Sequence, residues 1–374
     1  MRTLITALFV AAAITISPAQ AQAPADQASE TLGMIQSQNH IPGLAAAIAV
    51  NGDIAWHGEA GLADLENNIA VARDSRFRLG SVSKVITATL AARLAESGHV
   101  DLDVPISNYL PEIPAQHAGT TLRQLLGHLG GIRHYQRADY DPGAPGGLID
   151  QRFYPDTAAA LALFIDDEIV AEPGAEYHYS TFGYTLAAAV LEAATGEDFG
   201  DLVDTWIAAP LALSTLETDD PFALRPGRVR FYDPAMLYQQ QLGLELDGSI
   251  VNALWVNPAY KWAGGGLLAS AADLARFGAA MAQPGFLSAR TYSEVFTPQS
   301  TTSGDATPVG LGWNIDRDDA GRLRYHHAGL QQGTRSVLLI YPEAGVSVAL
   351  MSNLGGMPRD ILAEAERLAA PWID

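Results

Sequence analysis

The chain has no cysteine, so no lipidated cysteine can anchor it, and compartment redox has nothing to act on. It also lacks a long apolar run. Leu4 to Ile16 is uncharged and mostly apolar, yet thirteen residues are too few to span a bilayer. Following Arg2 and preceding Pro18-Ala19-Gln20-Ala21, that run reads as an export signal cleaved after Ala21, which makes the mature protein periplasmic or secreted. Basic residues are scarce as well. Without Arg2, 21 of them face 42 acids, and no basic stripe exists to neutralise a phosphate backbone. Nucleic acid and anionic lipid are thereby disfavoured as partners, and the acidity reads as a solubility device.

Lysine is the scarcest cation. Lys84 and Lys261 are the two lysines, against twenty arginines. Arginine keeps its proton in proteins, whereas a desolvated lysine can release one. Lys84 lies three residues after Ser81 in Gly80-Ser81-Val82-Ser83-Lys84, ahead of Val85, Ile86, Thr89, Leu90 and Leu94 at helical spacing. Ser-x-x-Lys at a helix start suits activation of a serine nucleophile. The bland alternative makes Ser81 an N-cap and Lys84 a solvated surface charge. Against it, a cation in the first turn faces the positive end of the helix dipole, a field that also lowers its pKa.

Residues 26–40 form an amphipathic pattern. Gly43 to Val50 reads as a strand turned by Asn51-Gly52 into Ile54 to His57. Helical signals dominate from Ser81 to about Gly196, including Thr121 to Leu129 and Tyr184 to Ala194. Residues 215–262 are loop-rich and aromatic, which reads mainly as packing. Ser270 to Asp273 is a capping box. Strands follow at Leu311 to Ile315, Ser336 to Tyr341 and Val346 to Met351, and a helix at Arg359 to Ala370 closes the chain. Strands at both ends with helices between them predict an α/β (α+β) fold: one antiparallel sheet flanked by helices, with an inserted mainly helical lobe. The sheet lobe takes about 26–78 and 265–374, the helical lobe about 79–264, and the whole domain 22–374.

Two further segments carry chemistry. Tyr179, in the crowded loop Pro173 to Tyr184, can shuttle a proton if a cation lies close. Tyr325-His326-His327-Ala328-Gly329 lies at a strand edge, where Gly329 permits close backbone approach. Adjacent histidines on a strand face opposite ways and make poor co-ligands, so neither a metal nor any other cofactor is expected.

In this order the segments resemble the serine β-lactamase and penicillin-binding-protein family. Class C β-lactamases, serine esterases and D-peptidases are similar, as are the mitochondrial serine β-lactamase-like protein and its bacterial relatives. The landmarks are Phe77 to Lys84, Leu122 to His128, Pro173-Gly174, Tyr179 to Leu186 and Ala263 to Leu267. The resemblance implies the β-lactamase/transpeptidase-like fold and a set of roles. Ser81 would be acylated, with Lys84 and Tyr179 moving protons. The N–H groups of Ser81 and Leu330 would form the oxyanion hole. Thr181, His327, Ala328 and Gly329 would line the substrate. Thr181 stands where the family usually has asparagine, and His327 where β-lactamases usually have a carboxylate-holding lysine. An exported hydrolase of peptide or ester bonds, with weak or no β-lactamase activity, is therefore expected. A true β-lactamase and a non-catalytic binding protein are the alternatives, and self-assembly is an implied possibility.

Overall fold

The computed structural model describes residues 18–373, so most of the expected export signal lies outside the described residues. The cleavage pattern itself falls at the start of the first long helix. Seven strands form the main sheet: β1 (Gly43–Val50), β2 (Asp53–Asp64), β3 (Ile69–Ala70), β4 (Asn314–Arg317), β5 (Leu323–Gln331), β6 (Thr334–Tyr341) and β7 (Val346–Ser352). Their order is β3-β2-β1-β7-β6-β5-β4, antiparallel throughout, so the two ends of the chain meet where β1 pairs with β7. This is the expected α/β architecture.

Local chemistry accounts for the elements. Asn51 and Gly52 both take positive φ, +50° and +99°, as a tight two-residue hairpin turn requires. On β1, Leu44, Ala46 and Ile48 join one buried cluster and Ala45, Ala47 and Ala49 the other, so the strand is covered on both faces. One face packs against helices α1 (Pro18–Gln38) and α5 (Ile361–Ile373). The opposite face meets α4 (Ala271–Ala280), beyond which lie α2 (Ser83–Glu96) and α3 (Phe182–Thr195). No helix among the described residues is long and apolar enough to cross a membrane.

Four expectations need correction. The strand predicted from Leu311 starts only at Asn314, because Gly312 turns the chain at φ +81° and buries Trp313 in a loop. The run from 97 to 181 holds only short helices, such as Leu122–Leu126 and Thr157–Leu161, since proline and glycine interrupt it repeatedly. Leu122–Leu126 itself has a full capping box from Thr121 and Gln124, and ends before His128, whose φ is +60°. At α4 only half a capping box forms: Ser270 accepts the Asp273 N–H, while the Asp273 carboxylate is taken by Thr215 and Arg276. Within 215–262, Tyr232, Tyr238 and Tyr260 are buried packing residues, whereas Phe222 and Trp255 are exposed.

Candidate active site

Ser81 lies in the single 3₁₀ turn Gly80–Val82 that runs into α2, and Lys84 occupies the first turn of that helix. Ser81 makes no capping hydrogen bond and Lys84 has no exposed surface, which removes the bland alternative for both. The helix turn brings the Lys84 Nζ to 3.2 Å from the Ser81 Oγ. The same nitrogen reaches the Thr181 Oγ1 at 3.0 Å and the Gly264 carbonyl oxygen at 2.6 Å. From the loop ahead of α3, the Tyr179 hydroxyl donates to the Ser81 Oγ at 2.8 Å. Three segments far apart in sequence, at 81–84, 179–181 and 264, thus converge on one hydroxyl and the amine beside it.

Burial sets the protonation states. Complete desolvation holds the Lys84 amine well below its ordinary range, favouring the uncharged form. Burial is thus the operative cause here, rather than the helix field inferred from position alone. Burial pushes the Tyr179 phenol up to about 12, against smaller opposing effects of its hydrogen bonds to Ser81 and Thr181, so the phenol keeps its proton at neutral pH. Hydrogen-bond accounting agrees with an uncharged amine. A neutral Nζ offers two donors, which Gly264 and Thr181 can take, and one lone pair, which is left for the Ser81 hydroxyl.

Two histidines absent from the sequence-derived site support this arrangement. His128 accepts the Ser180 N–H on Nδ1 at 3.1 Å, and its ring packs 4.4 Å from that of Tyr179. His134 accepts the Thr181 N–H on Nδ1 at 3.2 Å and meets the Tyr179 ring edge-on at 5.4 Å. Both acceptor roles need unprotonated Nδ1 atoms. Desolvation is the main cause that lowers both imidazoles: His128 is buried, while His134 keeps an exposed edge and is held at about 4. The backbone at His128 is left-handed, a strained conformation for a non-glycine residue and one that site residues often hold; it is visible only in the fold.

The far wall is β5. Leu79 and Gly80 press against it so closely that a methyl on Gly329 would lie 2.0 Å from the Leu79 oxygen; only glycine fits. The Ser336 hydroxyl fastens the contact by donating to that oxygen at 2.6 Å. The Leu330 nitrogen consequently lies beside Gly80, next to the serine, while Leu330 as a residue is 57% exposed. His327 is buried, its Nδ1 bonded at 2.8 Å to the Ala328 oxygen, and its ring lies 6.4 Å from Tyr179. Desolvation lowers His327 to about 3, and a proton on Lys84 would lower it further, so it is uncharged at neutral pH. His326 turns the other way to Asp316. Ser81, Lys84, Tyr179, Thr181, His327, Gly329 and the Leu330 nitrogen therefore gather at one seam between β5, α2 and the loop before α3. Ala328, also expected there, turns its methyl to the apolar cluster on the opposite face of the sheet, as strand alternation requires.

Residues 18–370 match the sequence profile of the family described as Beta-lactamase. The chain belongs to the β-lactamase family. It is accordingly a serine hydrolase. Among its relatives in that family is Penicillin-binding protein 4 of Amycolatopsis lactamdurans, 30% identical over 87% of this chain and 84% of that protein. The mitochondrial serine beta-lactamase-like protein LACTB of Homo sapiens is 27% identical, over 85% of this chain and 72% of its own length. The solved structure of a D-stereospecific amidohydrolase from Streptomyces sp. superposes with a TM-score of 0.73 at 25% identity, covering 91% of this chain and 98% of that one.

Proposed function

We propose that this β-lactamase-family chain works through an acyl-enzyme on Ser81, cleaving an amide or ester bond, with a peptide-like amide as the preferred class. The observation that carries the reading is the pairing of one hydroxyl with a desolvated amine at 3.2 Å and a protonated phenol at 2.8 Å. In acylation the Ser81 Oγ attacks the substrate carbonyl carbon and its proton passes to the Lys84 Nζ. The carbonyl oxygen takes the electron pair and rests against the N–H groups of Ser81 and Leu330. When the tetrahedral adduct collapses, the C–N or C–O bond breaks and the leaving group takes the Tyr179 proton. Lys84 returns the serine's proton to the phenolate. In deacylation a water molecule attacks the ester with Lys84 as base, and Ser81 leaves with a proton regained.

The substrate class rests on His327 and Thr181. A neutral imidazole at the position where β-lactamases usually carry lysine gives little hold on a β-lactam carboxylate, which supports weak or absent β-lactamase activity. The amidohydrolase likeness supports an amide acyl donor. Thr181 was the feature that favoured a non-catalytic binding protein. It accepts from Lys84 at 3.0 Å, so the lysine's partners are complete and that reading loses its motive. Export with cleavage after Ala21 belongs to the same proposal, and N-terminal sequencing of the protein from a periplasmic extract tests it.

The function is tested by turnover of p-nitrophenyl butyrate, D- and L-phenylalanine amide and nitrocefin, with Ser81→Ala alongside. Ser81-dependent turnover of an ester or amide well above that of nitrocefin is expected. Equal turnover by a folded Ser81→Ala protein contradicts the reading.

A further inference from the structure

Lys261, the second of the two lysines, has no part in the chemistry above. It closes the turn Pro258–Lys261 and leads into the short helix Trp262–Gly265, whose Gly264 carbonyl holds Lys84. Sequence scarcity singled it out, and the fold carries it to the same seam. A methyl on Gly265 would meet the Lys261 Cδ at 3.5 Å and the Gly80 carbonyl carbon at 3.7 Å. The lysine stem and the residue before Ser81 therefore flank one glycine.

The residue is 8% exposed, and its amine has no hydrogen bond or ion pair with any described residue. Its Nζ stands over the rings of Tyr135 and Tyr260, at 5.6 and 5.4 Å. Arg78 repels it, as Lys84 does whenever that amine takes up a proton, while Asp150 and Asp219 attract. Both acids are engaged elsewhere. Asp219 pairs with Arg78 and Arg228, and Asp150 accepts from the Gln332 amide at 3.0 Å. Desolvation above all, with repulsion from Arg78 and from Lys84 when it is protonated, holds Lys261 down at about 7. A nearly buried cation left unpaired is costly, and an incoming anion would relieve that cost.

We propose that Lys261 anchors a carboxylate carried by the substrate, so that the acyl donor of this hydrolase is acidic. The inference rests on Ser81 being the acylated residue, and it specifies the substrate beyond its bond type. With a formal net charge of −20 the protein repels anions over most of its surface, yet both lysines sit together at this seam. His327 is uncharged and leaves the anion-binding role open. A carboxylate at Lys261 would also draw a proton onto the amine, making binding of acidic ligands stronger below neutral pH than above it.

The test compares mono-p-nitrophenyl adipate with its methyl ester, background-corrected, on wild type, Lys261→Met, Lys261→Gln and Lys261→Arg. Wild type is expected to favour the acid, and the acid-to-ester ratio of kcat/KM to fall about tenfold or more in the Met and Gln variants, mainly through KM, and to persist in Arg. An unchanged ratio, including one in which both rates fall together, overturns the proposal while leaving the acyl-enzyme intact. If neither ester shows Ser81-dependent turnover, the acyl-enzyme reading fails instead. Calorimetric titration of adipate and adipamide then decides the anchor. Adipate heat in wild type that is absent from Lys261→Met and Lys261→Gln sustains it; no adipate binding, or binding that survives in both variants, overturns it.

Discussion

The two faces of the main sheet are built to different ends. The face under α1 and α5 is closed by Leu44, Ile48, Val337, Leu339, Val348, Leu350, Ile361 and Leu368, an apolar cluster with period-2 strands and no buried charge in its centre. On the other side the buried inventory includes Lys84, Lys261, His128, His327 and Asp150. Burying such groups costs stability, and the proposed mechanism gives one reason for it: an uncharged amine beside a hydroxyl has to be desolvated. The apolar face supplies the stability that the reactive side spends.

Four substitutions or conditions separate the two faces, in descending size of effect. Lys84→Met removes the amine and leaves the Gly264 carbonyl without its partner. kcat/KM should drop by about 10³-fold or more, read as initial rates on the faster ester or amide, while circular dichroism stays native. Leu350→Ala on the apolar face should do the reverse. It should cost about 2–5 kcal/mol in urea unfolding and leave kcat/KM of the folded protein near wild type. A loss of rate without a loss of stability there would break the division.

Acid comes next. His134 and His327 have folded values of about 4 and 3, well below their ordinary 6.5. Between pH 6.5 and about 4 the unfolded chain binds protons that the fold refuses, so stability falls on acidification. Buried His327 contributes up to about 1.4 kcal/mol per pH unit, and His134, whose side of the loop is solvent-exposed and screened, a fraction of that. Buried Asp150 and Asp233 and half-buried Glu192, whose values are raised, work the other way in part of this window. The difference in urea midpoint between wild type and His134→Asn at pH 7 and pH 5 isolates the histidine: wild type should lose more. Equal losses contradict a neutral imidazole at His134. The smallest effect belongs to Thr181→Val, which deletes one of three Lys84 contacts and should slow turnover about tenfold, with Thr181→Asn recovering most of it.

How far the sequence foretold this molecule depended on what kind of pattern each part leaves. Ser81 and Lys84 were legible because a helix turn alone makes residues i and i+3 neighbours. The β1–β2 hairpin was legible from Asn51-Gly52, and the outer helices from their apolar period. Tyr179 and His327 were reached through the family landmarks, since no local rule brings a loop at 179 and a strand at 327 to one hydroxyl. His128 and His134 went unseen because their work is to receive N–H groups from Ser180 and Thr181, some fifty positions on, and such pairing has no period. Lys261 was noticed as a rarity but given no place, because burial without a partner is a property of the fold. The segment 97–181 was over-read as helix where proline and glycine cut the pattern, and Leu311–Trp313 as strand where Gly312 turns the backbone.

The account stands most directly on covalent capture at Ser81. Intact mass after brief exposure to p-nitrophenyl butyrate, and separately to a penicillin, should reveal a one-acyl adduct that peptide mapping assigns to Ser81. The ester adduct should form faster than the penicillin adduct and be absent from Ser81→Ala. An adduct on another residue, or steady turnover that persists in Ser81→Ala, would contradict it.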